Sequence, residues 1–189
     1  MISFTLSLVF VFLVVLTLYR FRWQIRYFIY LWRYKEPRQI NRDREDFTYD
    51  AFVIYPEEDS DFVHDILLPK LENENNLRVC IHPRDFQPGK SIIENIVECI
   101  ANSKRVFAVI SQNFNQSKWC NFELLIAQDR WLNNEASVPL IIMRQEVDNS
   151  WIKREIRALV KTTTYAKWTE DDCGQELFWH QIITSVKDG

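Results

Sequence analysis

Arg84-Asp85-Phe86-Gln87-Pro88-Gly89 is the stretch whose reading decides the fold. A strand-like run, Leu77-Arg78-Val79-Cys80-Ile81, leads into it. A helix-like run leads out, with Ile92, Ile93, Ile96, Val97 and Ile100 on one face at helical spacing. Ser91 followed three residues later by Glu94 reads as a capping box, so the helix starts just after the loop. Pro88-Gly89 fits a type II turn: proline fixes φ at the first central position and glycine supplies the positive φ at the second. Glycine is scarce, three in 189 residues, which gives Gly89 a specific role rather than that of filler. Strand, loop, helix in this order is one unit of an α/β sheet, and loops at the carboxyl ends of such strands carry binding work.

The same alternation runs through the chain. Upstream, Tyr49-Asp50-Ala51-Phe52-Val53-Ile54-Tyr55 is a short apolar run of buried-strand type. Glu57, Glu58, Asp59 and Asp61 then suit a helix N-terminus, where the dipole favours negative charge. Phe62, Val63, Ile66, Leu67 and Leu71 give that helix an apolar face, which Pro69 should bend. Downstream, the spacing predicts strands at residues 105–111, 138–143 and 163–167. Helices are predicted after Ser117, around Ile152, Ile156 and Leu159, and from Glu176 to Val186. Five alternations imply a parallel sheet covered on both faces.

Residues 2–19 contain no charged side chain, and as a helix they would span about 27 Å at ~1.5 Å per residue. A hydrocarbon core is ~30 Å thick. Residues 20–44 follow with eight basic side chains against two acidic, interleaved with Trp23, Tyr27, Tyr30, Trp32 and Tyr34. This is a positive-inside flank with an aromatic belt. It predicts one transmembrane helix over residues 1–19, in contact with membrane lipid, a basic juxtamembrane linker over 20–46, and a cytoplasmic domain over 47–189. A signal peptide would need a basic region before the apolar run and a small-residue cleavage site after it, and neither is present. The simplest account of so little chain outside is a receptor whose ectodomain lies upstream of Met1. The basic collar stands beside a chain of net charge −3, so the remainder is acidic, which argues against nucleic-acid binding and for a membrane neighbour. Cys80, Cys99, Cys120 and Cys173 form no CxxC pair and are expected to be reduced.

The combination resembles the Toll/interleukin-1 receptor (TIR) domain, as found in the cytoplasmic part of Toll-like receptors. Its first box corresponds to residues 49–55, with Tyr49, Asp50, Ala51 and Phe52, its second to Arg84 to Gly89, and its third to Phe178-Trp179. Ser117-Lys118-Trp119-Cys120-Asn121-Phe122-Glu123 matches a further stretch of the family, and Pro88-Gly89-Lys90-Ser91-Ile92 followed by Glu94-Asn95-Ile96 looks closest to its lipopeptide-sensing branch. The resemblance implies a flavodoxin-like fold: five parallel strands with helices on both faces. It also implies innate-immune signalling without catalysis. The TIR domain would form homo- or heterodimers with another Toll-like receptor and recruit TIR-domain adaptors of the myeloid differentiation type. The contact residues would be Arg84, Asp85, Phe86, Gln87, Pro88 and Gly89. Phe86 and Pro88 offer apolar area, Arg84 and Asp85 charge-assisted hydrogen bonds.

Enzymatic readings find little support in the residues. Pro88-Gly89-Lys90-Ser91 has only the tail of a P-loop, and there is no GxGxxG. His64, His82 and His180 are too scattered for a zinc site, so neither metal nor cofactor is expected. Trp119 and Phe122 read as core aromatics. The one alternative is Glu123, because some TIR domains cleave NAD with a glutamate at this helix position. A carboxylate in an apolar pocket can stabilise an oxocarbenium-like transition state. The competing expectation is a partly buried structural glutamate hydrogen-bonded near its helix N-terminus.

Overall fold

The structure is a computed structural model and describes residues 10–16, 19–20, 47–82, 84–133, 136–145 and 154–187. The chain divides into two compact units, Met1–Asp43 and Arg44–Gly189. In the first, residues 10–16 and 19–20 are helical. Among the described residues no helix is long and apolar enough to cross a membrane. The rest of the segment expected to span it, and nearly all of the basic linker, lie outside the described residues.

The second unit is built on five parallel strands: β1 (Tyr49–Ile54), β2 (Val79–Cys80), β3 (Ser103–Ile110), β4 (Leu140–Met143) and β5 (Tyr165–Lys167). Their order is β2-β1-β3-β4-β5, the flavodoxin-like arrangement. The helical elements are α1 (Phe62–Leu67 and Pro69–Glu74), α2 (Ile92–Ala101), α3 (Gln112–Gln116), α4 (Lys118–Leu132), α5 (Arg154–Thr162) and α6 (Asp172–Lys187).

Alternate strand residues point to opposite faces. Ala51, Val53, Tyr55, Val79, Phe107 and Val109 form one buried layer with Phe62, Val63, Leu67 and Leu71 of α1 and Phe178, Ile182 and Val186 of α6. The intervening Phe52, Ile54, Val106, Ala108 and Ile110 are equally buried on the other face, where α2 and α4 reach β1. Burial on both sides is why these strands read as continuous apolar runs.

The differences from expectation have local causes. β2 is two residues long rather than five because side chains take over its ends: Asp50 Oδ2 accepts from the Arg78 N–H (2.7 Å), and Asp85 Oδ2 from the Ile81 N–H (2.8 Å). Pro69 widens α1 rather than ending it. Both segments wind with i to i+5 spacing and the Leu68 N–H bonds to the Val63 carbonyl, while Pro69 stands at the first position of the second segment, where an N–H has no partner within that segment. The capping box holds, with Ser91 and Glu94 bonded reciprocally (3.0 and 3.1 Å). The buried stripe of α2, however, is Asn95, Ile96, Cys99 and Ile100, with Ile92 exposed. Ser111 caps the unforeseen α3 by accepting from the Phe114 N–H. α6 begins at Asp172 rather than Glu176, because the Asp171 carboxylate accepts from the Gly174 N–H (2.8 Å). All four cysteines are free.

Candidate functional site

The loop after β2 is fastened from below and open above. Its base is held twice. The Asp85 carboxylate accepts from the Ile81 N–H, while the Asp85 N–H donates to the Ile81 carbonyl (3.0 Å). Arg84 spreads its guanidinium over Glu72 of α1 (2.9 and 3.1 Å), the Asp85 carboxylate and the Val79 carbonyl. The hydrogen bonds it donates to Glu72 push the Arg84 pKa further up, so it stays charged. These two residues therefore spend their charge-assisted hydrogen bonds inside the chain.

Phe86 is half-buried, its ring 5.7 Å from that of His82, which stacks on Tyr55 (5.2 Å, 12°). The Tyr55 hydroxyl donates to the His82 carbonyl (2.8 Å) and lies 3.1 Å from His64 Nε2. Burial raises the Tyr55 hydroxyl to about 12 and lowers the pKa of His82, which favours its neutral form. At the apex, Lys90 N–H approaches the Gln87 carbonyl at 3.4 Å and Gly89 has φ 87°, which is the type II geometry with Pro88 and Gly89 central. Gln87, Pro88, Gly89 and Lys90 are all exposed. A Cβ on Gly89 would meet nothing within 4 Å, so φ alone demands glycine there. Beneath the apex, Asn95 of α2 bonds both polar groups of the Gln87 backbone. Glu72 and His82 lie in no motif, and Tyr55 and Asn95 lie in matched stretches that assign them no role. Only Asn95, a polar residue inside an apolar stripe, left a trace in the sequence.

The Glu123 site is of another kind. α4 is capped by Ser117, whose hydroxyl accepts from the Cys120 N–H (3.2 Å). Its inward stripe is Cys120, Glu123, Leu124 and Ala127. Glu123 is 2% exposed, and its Oε2 has no hydrogen-bond partner among the described residues. It is thus more deeply buried than expected. Burial, with a smaller effect of Cys99, pushes its carboxyl up to about 8. Burial likewise lifts the Cys120 thiol to about 12, which makes it a poor nucleophile. Trp119 corrects the expectation of a core aromatic: it is 43% exposed, edge-on to Phe122, because both lie beside the inward stripe rather than on it.

The TIR domain family profile matches residues 49–188. The chain belongs to the TIR domain family. It is 34% identical over 169 residues to Toll-like receptor 2 of Canis lupus familiaris, an overlap of 87% of this chain and 21% of that protein. It is 30% identical over 194 residues to Toll-like receptor 2 type-2 of Gallus gallus, 99% of this chain and 25% of that protein. The chain thus spans about a fifth to a quarter of the length of the curated relatives it matches. Among solved structures it is similar in fold to the TIR domain of the Toll-related receptor TRR-2 from Hydra magnipapillata. The TM-score is 0.61 at 24% identity, covering 74% of this chain and 99% of that one.

The remaining boxes of this TIR domain serve the scaffold. Tyr49, Asp50, Ala51 and Phe52 open β1, which lies between β2 and the central strand β3. Asp50 grips Arg78 through backbone and guanidinium, and those hydrogen bonds hold its carboxyl below the usual range although burial opposes them. Phe178 is buried edge-on to Trp168 and Trp179, closing the α6 side of the core. Asp59, also buried, pairs with Arg144 at the end of β4 (2.5 Å), tying the β1 loop to the neighbouring strand end.

Proposed function

We propose that this TIR domain is the cytoplasmic signalling module of a Toll-like receptor in innate immunity. It would act by associating with a second TIR domain and by recruiting TIR-domain adaptors of the myeloid differentiation type. One observation carries the reading: the Gln87 to Lys90 turn is exposed, and all its described fastenings lie on the side of the body. Pro88 lacks an N–H and holds φ near −65°, so it presents apolar area at low entropic cost. Within the loop, Arg84 and Asp85 set the base, while Gln87, Pro88 and Gly89 meet the partner, with Phe86 behind them. Similarity to the avian receptor over 99% of the chain supports the reading for the N-terminal segment too. On that reading residues 1–19 span the membrane once, in type I orientation, and residues 20–46 link to the cytoplasmic domain.

Pro88→His tests the loop. The residue is exposed, so thermal unfolding should stay within about 1 kcal/mol of the parent. Adaptor recruitment by a reconstituted receptor should fall roughly thirtyfold, the effect of about 2 kcal/mol at a central interface residue. Parent-like melting together with parent-like recruitment would reduce the loop to a connector.

One observation favours a second reading, NAD cleavage at Glu123: a buried carboxyl with an unpartnered oxygen. Two facts weigh against it. At 2% exposure no substrate reaches the group without opening of the domain. A carboxyl raised to about 8 is mostly protonated at neutral pH and carries no charge to stabilise an oxocarbenium. Nicotinamide release, followed over hours with the full chain at high concentration, should stay at background. Robust release lost in Glu123→Ala would replace the signalling reading with the enzymatic one.

A further inference from the structure

The apex of the loop rests on one buried side chain. Asn95 lies in the first turns of α2 and is 5% exposed. Its Oδ1 accepts from the Gln87 N–H at 2.8 Å, and its Nδ2 donates to the Gln87 carbonyl at 3.2 Å and the Ser91 carbonyl at 3.3 Å. One carboxamide thus pairs with both polar groups of a single residue's backbone, as a neighbouring strand would. It also ties that residue to the N-cap of the helix beneath.

The turn has little else to hold it. Its own closing bond, Lys90 N–H to the Gln87 carbonyl, is long at 3.4 Å. Gly89 touches nothing on the side where a Cβ would be. The Lys90–Glu98 ion pair is partly exposed and therefore weak. Arg84 and Asp85 fasten the base of the loop, to Glu72 and to the Ile81 N–H, and do not reach the apex.

We infer that Asn95 is the positioning residue of the loop: through Gln87 it sets the conformation in which Pro88 is offered, and so the strength with which one TIR domain takes a second copy of itself. The inference rests on the docking role proposed above. Asparagine is required because the position needs a donor and an acceptor at one fixed reach. Aspartate keeps the acceptor for the Gln87 N–H but sets lone pairs against the Gln87 and Ser91 carbonyls. Alanine supplies neither partner and leaves the Gln87 N–H without its acceptor.

The test uses the full chain in detergent, with donor- and acceptor-labelled copies reporting self-association and hydrogen exchange reporting individual amides. In Asn95→Ala the Gln87 amide should exchange at least about tenfold faster than in the parent, while β3 amides keep their protection. Self-association should weaken about tenfold, as loss of one buried hydrogen-bonded contact implies. Should Asn95→Ala unfold, the isosteric Asn95→Asp carries the same test. Parent-like Gln87 exchange in both variants would show that Asn95 does not hold the apex. Faster exchange with unchanged self-association, while Pro88→His still weakens it, would show that the apex conformation does not matter to the contact. If Pro88→His leaves self-association unchanged as well, the docking role itself fails, and the inference with it.

Discussion

Replacing Glu123 by glutamine should stabilise this TIR domain, and by an amount that grows with pH. The carboxyl is 2% exposed, one oxygen lacks a partner among the described residues, and burial raises its pKa from 4.5 to about 8. Below pH 4.5 the group is protonated in both folded and unfolded chains and the titration contributes nothing. Between about 4.5 and 8 the folded chain holds a proton that the unfolded chain has released, so stability falls as pH rises. Above about 8 the buried carboxylate is ionised and the loss is complete. The slope inside the window is about 1.4 kcal/mol per pH unit. From pH 5.5 to 7.5 the parent should therefore lose on the order of 3 kcal/mol relative to Glu123→Gln, which keeps the shape but cannot ionise. Other titrating groups are common to both chains and cancel in the difference. For a domain of this size each kcal/mol shifts Tm by about 2–4 °C, giving a gap that opens by roughly 6–12 °C across the window. Thermal unfolding of both chains at half-unit pH steps checks this. A gap that stays constant from pH 5.5 to 7.5 would refute the argument, because it would mean that Glu123 is ionised in the fold and compensated.

Two further predictions concern the loop. In a denaturant-unfolding cycle over Arg84→Ala, Glu72→Ala and the double variant, the coupling energy should be about 0.5–1 kcal/mol, small because Arg84 is 44% exposed despite its bidentate geometry. A value indistinguishable from zero would remove Glu72 as an anchor. Gly89→Ala should cost about 1–2 kcal/mol from backbone strain alone, since φ is 87° and the new methyl meets nothing, and Gly89→Asn should cost less. Equal stability of all three chains by thermal melting would show that the turn relaxes to a negative φ.

The sequence by itself determined the succession of elements along the chain: five apolar runs alternating with amphipathic ones, a capping box at Ser91, a Pro-Gly turn at residues 88–89, and from these the parallel sheet and the place of its most prominent loop. Such features are legible because they are local. A cap, a positive φ or a doubly buried strand is written in neighbouring residues, and periodicity records which side of an element meets the core. What only the tertiary structure decided is pairwise and distant in sequence. Glu72 meets Arg84 across twelve residues, Asp59 meets Arg144 across eighty-five, and each of these charged residues on its own looks like ordinary surface. The depth of Glu123 and the exposure of Trp119 depend on a rotation of α4 of little more than one residue, which an apolar count cannot fix when both faces carry apolar side chains. Asn95 is the clearest case. Apolar spacing put Ile92, Ile93, Ile96, Val97 and Ile100 on the inner face and left Asn95 out; its inward turn is set by the Gln87 backbone, whose donor and acceptor one carboxamide can satisfy together.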